Sequence, residues 1–163
     1  MSLKIIHTAD WHLGQTFFGY DRDEEHEAFL SWLIDILTLR QTDVLLIAGD
    51  VFDVANPSAA AQRRFFRFLR EANRRNPQLQ IVIIAGNHDS AARLEAPIPL
   101  LEELNTSIVG AVPRTDLCKI DFDSLLIPLY NKEGKREAIC LAVPYLRQGD
   151  YPASKEGKDT YVE

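Results

Sequence analysis

The chain has 163 residues, 46% of them hydrophobic and 26% charged, and carries a formal net charge of −6. These totals describe one ordinary globular core, and the negative charge excludes a protein that coats nucleic acid by bulk attraction, so any phosphate contact needs a local basic surface or a bound cation. With no apolar run near the ~20 residues that span a bilayer, and no basic-then-apolar leader, a cytoplasmic chain without a membrane partner is expected.

The first predicted strand is the apolar run at 4–8, "KIIHT", in which His7 reads as a core histidine. Helix one follows: Asp21, Asp23, Glu24 and Glu25 give an acidic start, and Phe29, Leu33, Ile36 and Leu37 recur with Trp32 at helical spacing, with His26 near the apolar side. A second buried strand covers 44–48. Pro57 and Ser58 then open a helix whose Phe65, Phe66, Leu69 and Ala72 share one side, while Arg63, Arg67, Arg70 and Arg74 line the other as a solvated face or a phosphate contact. The third strand, 80–85, leads to a helix over 90–104 that Pro97 and Pro99 weaken. Strand alternating with helix predicts an α/β fold, a parallel sheet with helices on its faces. The tail stretches "TSIVGAV", "LCKIDF", "SLLIPLY" and "EAICLAVPYL" read as edge strands or hairpins. Cys118 and Cys140 belong to no CxxC pair, so reduced, buried thiols are expected.

Each of the three strands ends in polar residues: "DWH" supplies Asp10 and His12, "GDVFD" supplies Asp50 and Asp53, and "GNHD" supplies Asn87, His88 and Asp89. Ligands of α/β sheets gather beyond the carboxyl ends of the strands, so one crevice collects carboxylates, imidazoles and an amide. That donor set suits hard or borderline ions such as Mn²⁺, Fe²⁺ or Zn²⁺. Gly49 and Gly86 permit sharp turns and close backbone approach there. One D-x-H or G-D is ordinary turn chemistry, but three such groups at successive strand ends are costly to bring together without a ligand. On an extended backbone Asp10 and His12, two apart, share a face, and Trp11 between them turns into packing. Phe17, Phe18, Tyr20 and Arg22 follow the first motif, open equally to substrate and to solvent.

These motifs, D-x-H, GD-x-x-D and GNH-D, resemble those of the calcineurin-like metallophosphoesterases, and "HTADWHLGQ", "AGDVFD", "AGNHDS" and "EEHEAFLSWL" resemble the SbcD-type DNA exonuclease branch. The resemblance implies a sheet sandwich flanked by helices, and a two-metal site loaded with Mn²⁺. Asp10 and His12 would hold one ion, Asp50 would bridge, Asn87 would hold the second, His88 would meet the scissile phosphate, and the Asp53 carboxylate would orient His88. Metal-dependent hydrolysis of DNA within a complex with an SbcC-like SMC-type ATPase is the implied function. A phosphoesterase for nucleotides or phosphoproteins, or a non-catalytic scaffold, would carry similar motifs. The resemblance further implies a homodimer joined through the helices at 58–75 and 90–104, whose Phe65, Phe68, Leu69, Leu94, Ile98 and Leu101 exceed what one sheet face needs. It also implies downstream histidines, one isolated and two in an H-x-H segment, whereas the histidines here are His7, His12, His26 and His88. Residues 1–163 are therefore expected to be the N-terminal part of a single nuclease domain, incomplete at the C-terminus and inactive alone.

Overall fold

The computed structural model describes residues 2–101, 104–115, 119–147 and 150. Its centre is a four-stranded, all-parallel sheet of β1 (Ile5–Thr8), β4 (Val44–Ala48), β5 (Gln80–Ile84) and β6 (Thr106–Val109), in the order β1-β4-β5-β6. Between β1 and β4 lie a small hairpin, β2 (Thr16–Phe17) with β3 (Tyr20–Asp21), and helix α1 (Asp23–Leu39). Helix α2 (Ala59–Arg75) connects β4 to β5, and the short α3 (Ala91–Glu95) and α4 (Ile98–Leu101) connect β5 to β6. An antiparallel pair, β7 (Leu126–Tyr130) and β8 (Arg136–Leu141), completes the described chain. Asn131 closes its turn by accepting the N–H groups of Glu133 and Lys135 through Oδ1, both at 3.0 Å.

The period-two alternation of the strands divides the core. Leu45, Ile47, Ile81 and Ile83 point to one face and pack with Leu33 and Leu37 of α1 and Phe65, Phe68 and Leu69 of α2. Val44, Val82 and Val109 point to the other and meet Leu125, Leu129 and Ala142 around the β7–β8 pair. Helices, sheet and hairpin thus form three layers. Ser58 starts α2 by accepting the Ala61 N–H at 3.1 Å through its hydroxyl.

Several expectations change. Among the described residues β1 pairs only with β4 and is covered on one face; Ile5 and His7 are exposed there, so His7 is not packed as a core histidine. Trp32 is 56% exposed rather than part of the apolar stripe. The helix expected over 90–104 breaks between α3 and α4, where Pro97 lacks the N–H that would continue the ladder. Phe65, Phe68, Leu69, Leu94 and Leu101 are buried in the chain's own core, which removes the surplus that argued for a dimer and leaves Phe66 and Ile98 partly exposed. Cys118 lies outside the described residues; Cys140 is half-buried, and burial pushes its thiol pKa up.

The α1–α2 contact depends on Arg64, which the sequence pattern does not single out. Its guanidinium is buried and pairs with Asp23 Oδ2 at 2.8 Å through Nη2 and with Glu27 Oε1 at 2.9 Å through Nε. Arg67 shares the same Glu27 oxygen. On the outer faces Arg74 pairs with Glu71 and Arg75 with Asp35, whereas Arg63 and Arg70 are exposed. The hydrogen bond from Arg64 holds the Asp23 carboxyl below its ordinary pKa.

His26 sits beside this cluster, 6% exposed. Burial first, then the charges of Arg22 and Arg64, lower its pKa against the weaker opposing pull of Asp23 and Glu25. A histidine with a lowered folded-state pKa binds fewer protons than the unfolded chain, so stability is expected to fall as pH drops below the unfolded value of about 6.5. Urea denaturation at a series of pH values checks this, and His26→Gln should flatten the dependence in that window.

Candidate metal centre

The loops after β1 and β4 run side by side and are joined by backbone hydrogen bonds. Asp10 N–H donates to Gly49 O at 3.1 Å, His12 N–H to Asp50 O at 2.9 Å, and Leu13 N–H to Val51 O at 3.0 Å. This register requires left-handed backbone at three side chains that normally avoid it: Asp10 has φ 56°, His12 φ 45° and Asp50 φ 48°. Asp10 and His12 therefore converge through alternate left-handed residues, not through the extended i, i+2 geometry that the sequence suggested. Trp11 between them is buried, 5.1 Å from the Phe68 ring and 5.7 Å from the Phe29 ring.

The loop after β5 is fastened to the loop after β4 by Asp89. This carboxylate is 1% exposed; Oδ2 accepts the N–H groups of Val51 at 3.1 Å and Gly86 at 2.9 Å, and Oδ1 accepts that of Phe52 at 3.0 Å. Arg147 donates to the Asp89 carbonyl at 3.0 Å, bringing the segment after β8 to the same place. Gly86 has no substitute here, because a Cβ would overlap the Asp50 carboxylate and its backbone nitrogen. Gly49 is needed for its φ of 89° as well as for its approach to Gly86.

Two overlapping groups of donors result, each with ligand atoms within 4.8 Å of one another: Asp10, His12 and Asp50, and His12, Asp53 and His88. Asp50 is buried; its Oδ1 accepts the His88 N–H at 3.0 Å, and its Oδ2 lies 3.8 Å from His12 Nε2. His12 Nδ1 is 3.2 Å from Asp53 Oδ1 yet is buried without hydrogen-bond geometry to any partner among the described residues. An orphaned imidazole nitrogen among carboxylates fits a cation ligand, and the oxygen and nitrogen donor set suits a hard or borderline divalent ion. The site belongs to the three strand ends named by the sequence.

The histidines differ in role. His88 Nδ1 lies 2.7 Å from the backbone carbonyl of Asp53, which can only accept, so Nδ1 carries the proton and Nε2 is left free. It is thus the main chain of Asp53, not its carboxylate, that orients His88; the carboxylate faces His12 instead. That hydrogen bond, with the nearby carboxylates of Asp50, Asp53 and Asp89, raises the pKa of His88. Its ring stands edge-on to that of His12, 4.9 Å away. Asn87 is exposed on the same loop, and its amide makes no hydrogen bond among the described residues. The sequence places Asp89 in the third motif without giving it a task. The signal was there in its position immediately after the histidine, but its three acceptor bonds exist only once the loops meet.

The calcineurin-like phosphoesterase family model matches residues 3–147. The chain is also similar to the SbcD subunit of the SbcCD nuclease of Rhodobacter capsulatus, 48% identical over 161 residues, which is 99% of this chain and 40% of that protein. The same-named protein of Escherichia coli is 34% identical over 155 residues, 95% of this chain and 36% of that protein. That of Bacillus subtilis is 40% identical over 122 residues, 75% of this chain and 31% of that protein. The chain thus spans about two fifths or less of the length of each.

Removing the Asp89 carboxylate leaves three backbone N–H groups without their acceptor. Asp89→Ala is expected to cost about 3 kcal/mol or more, and Asp89→Asn, which keeps one acceptor oxygen, clearly less. Urea denaturation measures both; a loss within the ~0.5 kcal/mol typical of a surface substitution would show that the loops are held by other means.

Proposed function

The chain belongs to the calcineurin-like phosphoesterase family, and from that membership we propose that the whole protein is a divalent-metal-dependent DNA phosphodiesterase, the nuclease component of an SbcCD-like complex. The observation that carries the proposal is the meeting of Asp10, His12 and Asp50 within 4.8 Å at the ends of adjacent parallel strands. The substrate class is supported by the names of the relatives, since the donor set by itself serves any phosphate ester.

In this proposal Asp10 and His12 would hold one ion, Asp50 would serve that ion and a second, and Asn87 would contribute to the second. When bound, such ions lower the pKa of a water and stabilise charge on the attacking and leaving oxygens of an in-line displacement. Asp53 holds His88 with its carbonyl, and its carboxylate lies beside His12. His88, when protonated at both ring nitrogens, keeps Nδ1–H on the Asp53 carbonyl and presents Nε2–H to the phosphate, where it hydrogen-bonds a phosphoryl oxygen or gives that proton to the departing one. Manganese is the proposed ion, an SbcC-like SMC-type ATPase the proposed partner, and the cytoplasm the proposed compartment. A homodimer rests on the resemblance alone, since Phe66 and Ile98 are themselves partly buried against the core.

The full-length protein with Mn²⁺ is expected to degrade linear duplex DNA and to stop on chelation. His88→Ala should lower the rate ~10²–10⁴-fold while calorimetry shows metal affinity retained; a loss that tracks lost metal would make His88 a ligand instead. The 163-residue chain alone is expected to bind Mn²⁺ weakly and to leave DNA intact, because its matched donors furnish most of one ion's shell and little of a second's.

A further inference from the structure

A cleft of ≈ 540 Å³ opens directly beside the candidate metal centre, lined by Asp10, His12, Gln15, Arg22, His26 and Phe29 among others. Phe29 and Trp11 are its aromatic lining, their rings edge-on at 5.7 Å, and Glu25 adds a second carboxylate. Its one guanidinium is Arg22, the residue before the first turn of α1. Asp21, Asp23, Glu24 and Glu25 flank Arg22 in sequence, yet it forms no ion pair with them among the described residues. Asp23 is taken by Arg64. Arg22 instead donates through Nη1 to the neutral amide oxygen of Gln15 at 2.9 Å. A neutral anchor fixes the guanidinium without cancelling its charge, and four of its five N–H donors remain for another acceptor. Arg22 is also half-buried, which strengthens its field toward an anion in the cleft. His26, in the same lining, is buried, and its Nδ1 has no hydrogen-bond partner among the described residues.

We propose that Arg22, held by Gln15, binds the phosphate adjacent to the scissile one on a nucleic-acid strand, with the intervening nucleoside lodged over Phe29 in the cleft. The assignment rests on the metal-dependent phosphodiesterase reading, which puts the scissile phosphate at Asp10 and His12. A phosphodiester strand carries a charge at every nucleotide, so a strand fixed at that centre presents its next anion along the cleft that Arg22 borders. A planar guanidinium meets phosphate oxygens with two parallel hydrogen bonds, which an ammonium reproduces only in charge. Arg22 therefore selects a substrate with a second phosphate over an isolated diester.

The test compares, in the full-length protein with Mn²⁺, a short oligonucleotide with bis(4-nitrophenyl) phosphate, which has no second phosphate. For Arg22→Gln the oligonucleotide kcat/KM is expected to fall about tenfold more than that of the small diester, as a rise in KM. Arg22→Lys should recover part of the loss, and Gln15→Ala should show a smaller loss of the same kind. Equal losses on both substrates, or an oligonucleotide loss confined to kcat, would overturn the assignment while leaving the hydrolase reading intact. Wild-type protein that turns over neither substrate would overturn the hydrolase reading itself, and the Arg22 assignment with it.

Discussion

The site depends on one buried carboxylate that is not itself among the proposed ligands. Asp89 gathers the N–H groups of Val51, Phe52 and Gly86, so the loops following β4 and β5 are a single hydrogen-bonded unit. The loop after β1 joins the same unit through Asp10, His12 and Leu13. A buried anion with three backbone donors is stable because the amide dipoles replace the water it lost. The same three bonds remove the freedom of the segments that carry Asp50, Asp53 and His88. Positions of these side chains are thereby set by main chain rather than by surface rotamers.

That main chain is strained where the chemistry is proposed. Left-handed backbone costs roughly 1–2 kcal/mol for a residue with a Cβ, and Asp10, His12 and Asp50 all adopt it. Glycine would relieve each of them but would remove the ligand. The conformation persists because the surrounding bonds over-determine it: the inter-loop ladder, the Asp89 acceptor, and the approach of Gly49 to Gly86 that admits no larger residue. Trp11 supplies the complementary constraint, since its ring fills the space among Phe29, Phe65 and Phe68 and pins the peptide between two strained candidate ligands.

The elements that the sequence made legible are those whose pattern reports burial alone. The strands at 44–48 and 80–84 read as apolar runs because both faces are covered, and α2 reads from the side occupied by Phe65, Leu69 and Ala72. β1 has the same apolar look yet lies at the sheet edge among the described residues, a fact of pairing that no local pattern encodes, and the expectation for His7 changed with it. Arg64 was hidden among five other arginines of α2, because its burial follows from Asp23 and Glu27 on a different helix. The convergence of D-x-H, GD-x-x-D and GNH-D was legible from topology. The means of convergence was not, since non-glycine residues announce a left-handed backbone only weakly.

The charge of the chain gives these pieces a common logic. Oxygens of Asp10 and Asp50 both lie within 4.8 Å of the shared His12 nitrogen and of each other. At an effective dielectric near 20, two like charges at such a distance repel by roughly 3 kcal/mol, less where solvent screens the exposed Asp10. Asp53 and Asp89 add to the same field, in a protein already at −6. An anionic substrate entering this centre meets repulsion unless a cation has reversed the local sign. On the proposed function, cation binding would then be a condition of substrate binding, not only of the chemical step. Arg22, which pairs with none of its acidic neighbours among the described residues and lies at the margin of the same cleft, would on the proposed reading act where a centrally placed ion is farther away and screened, so that the two positive elements would divide the strand between them.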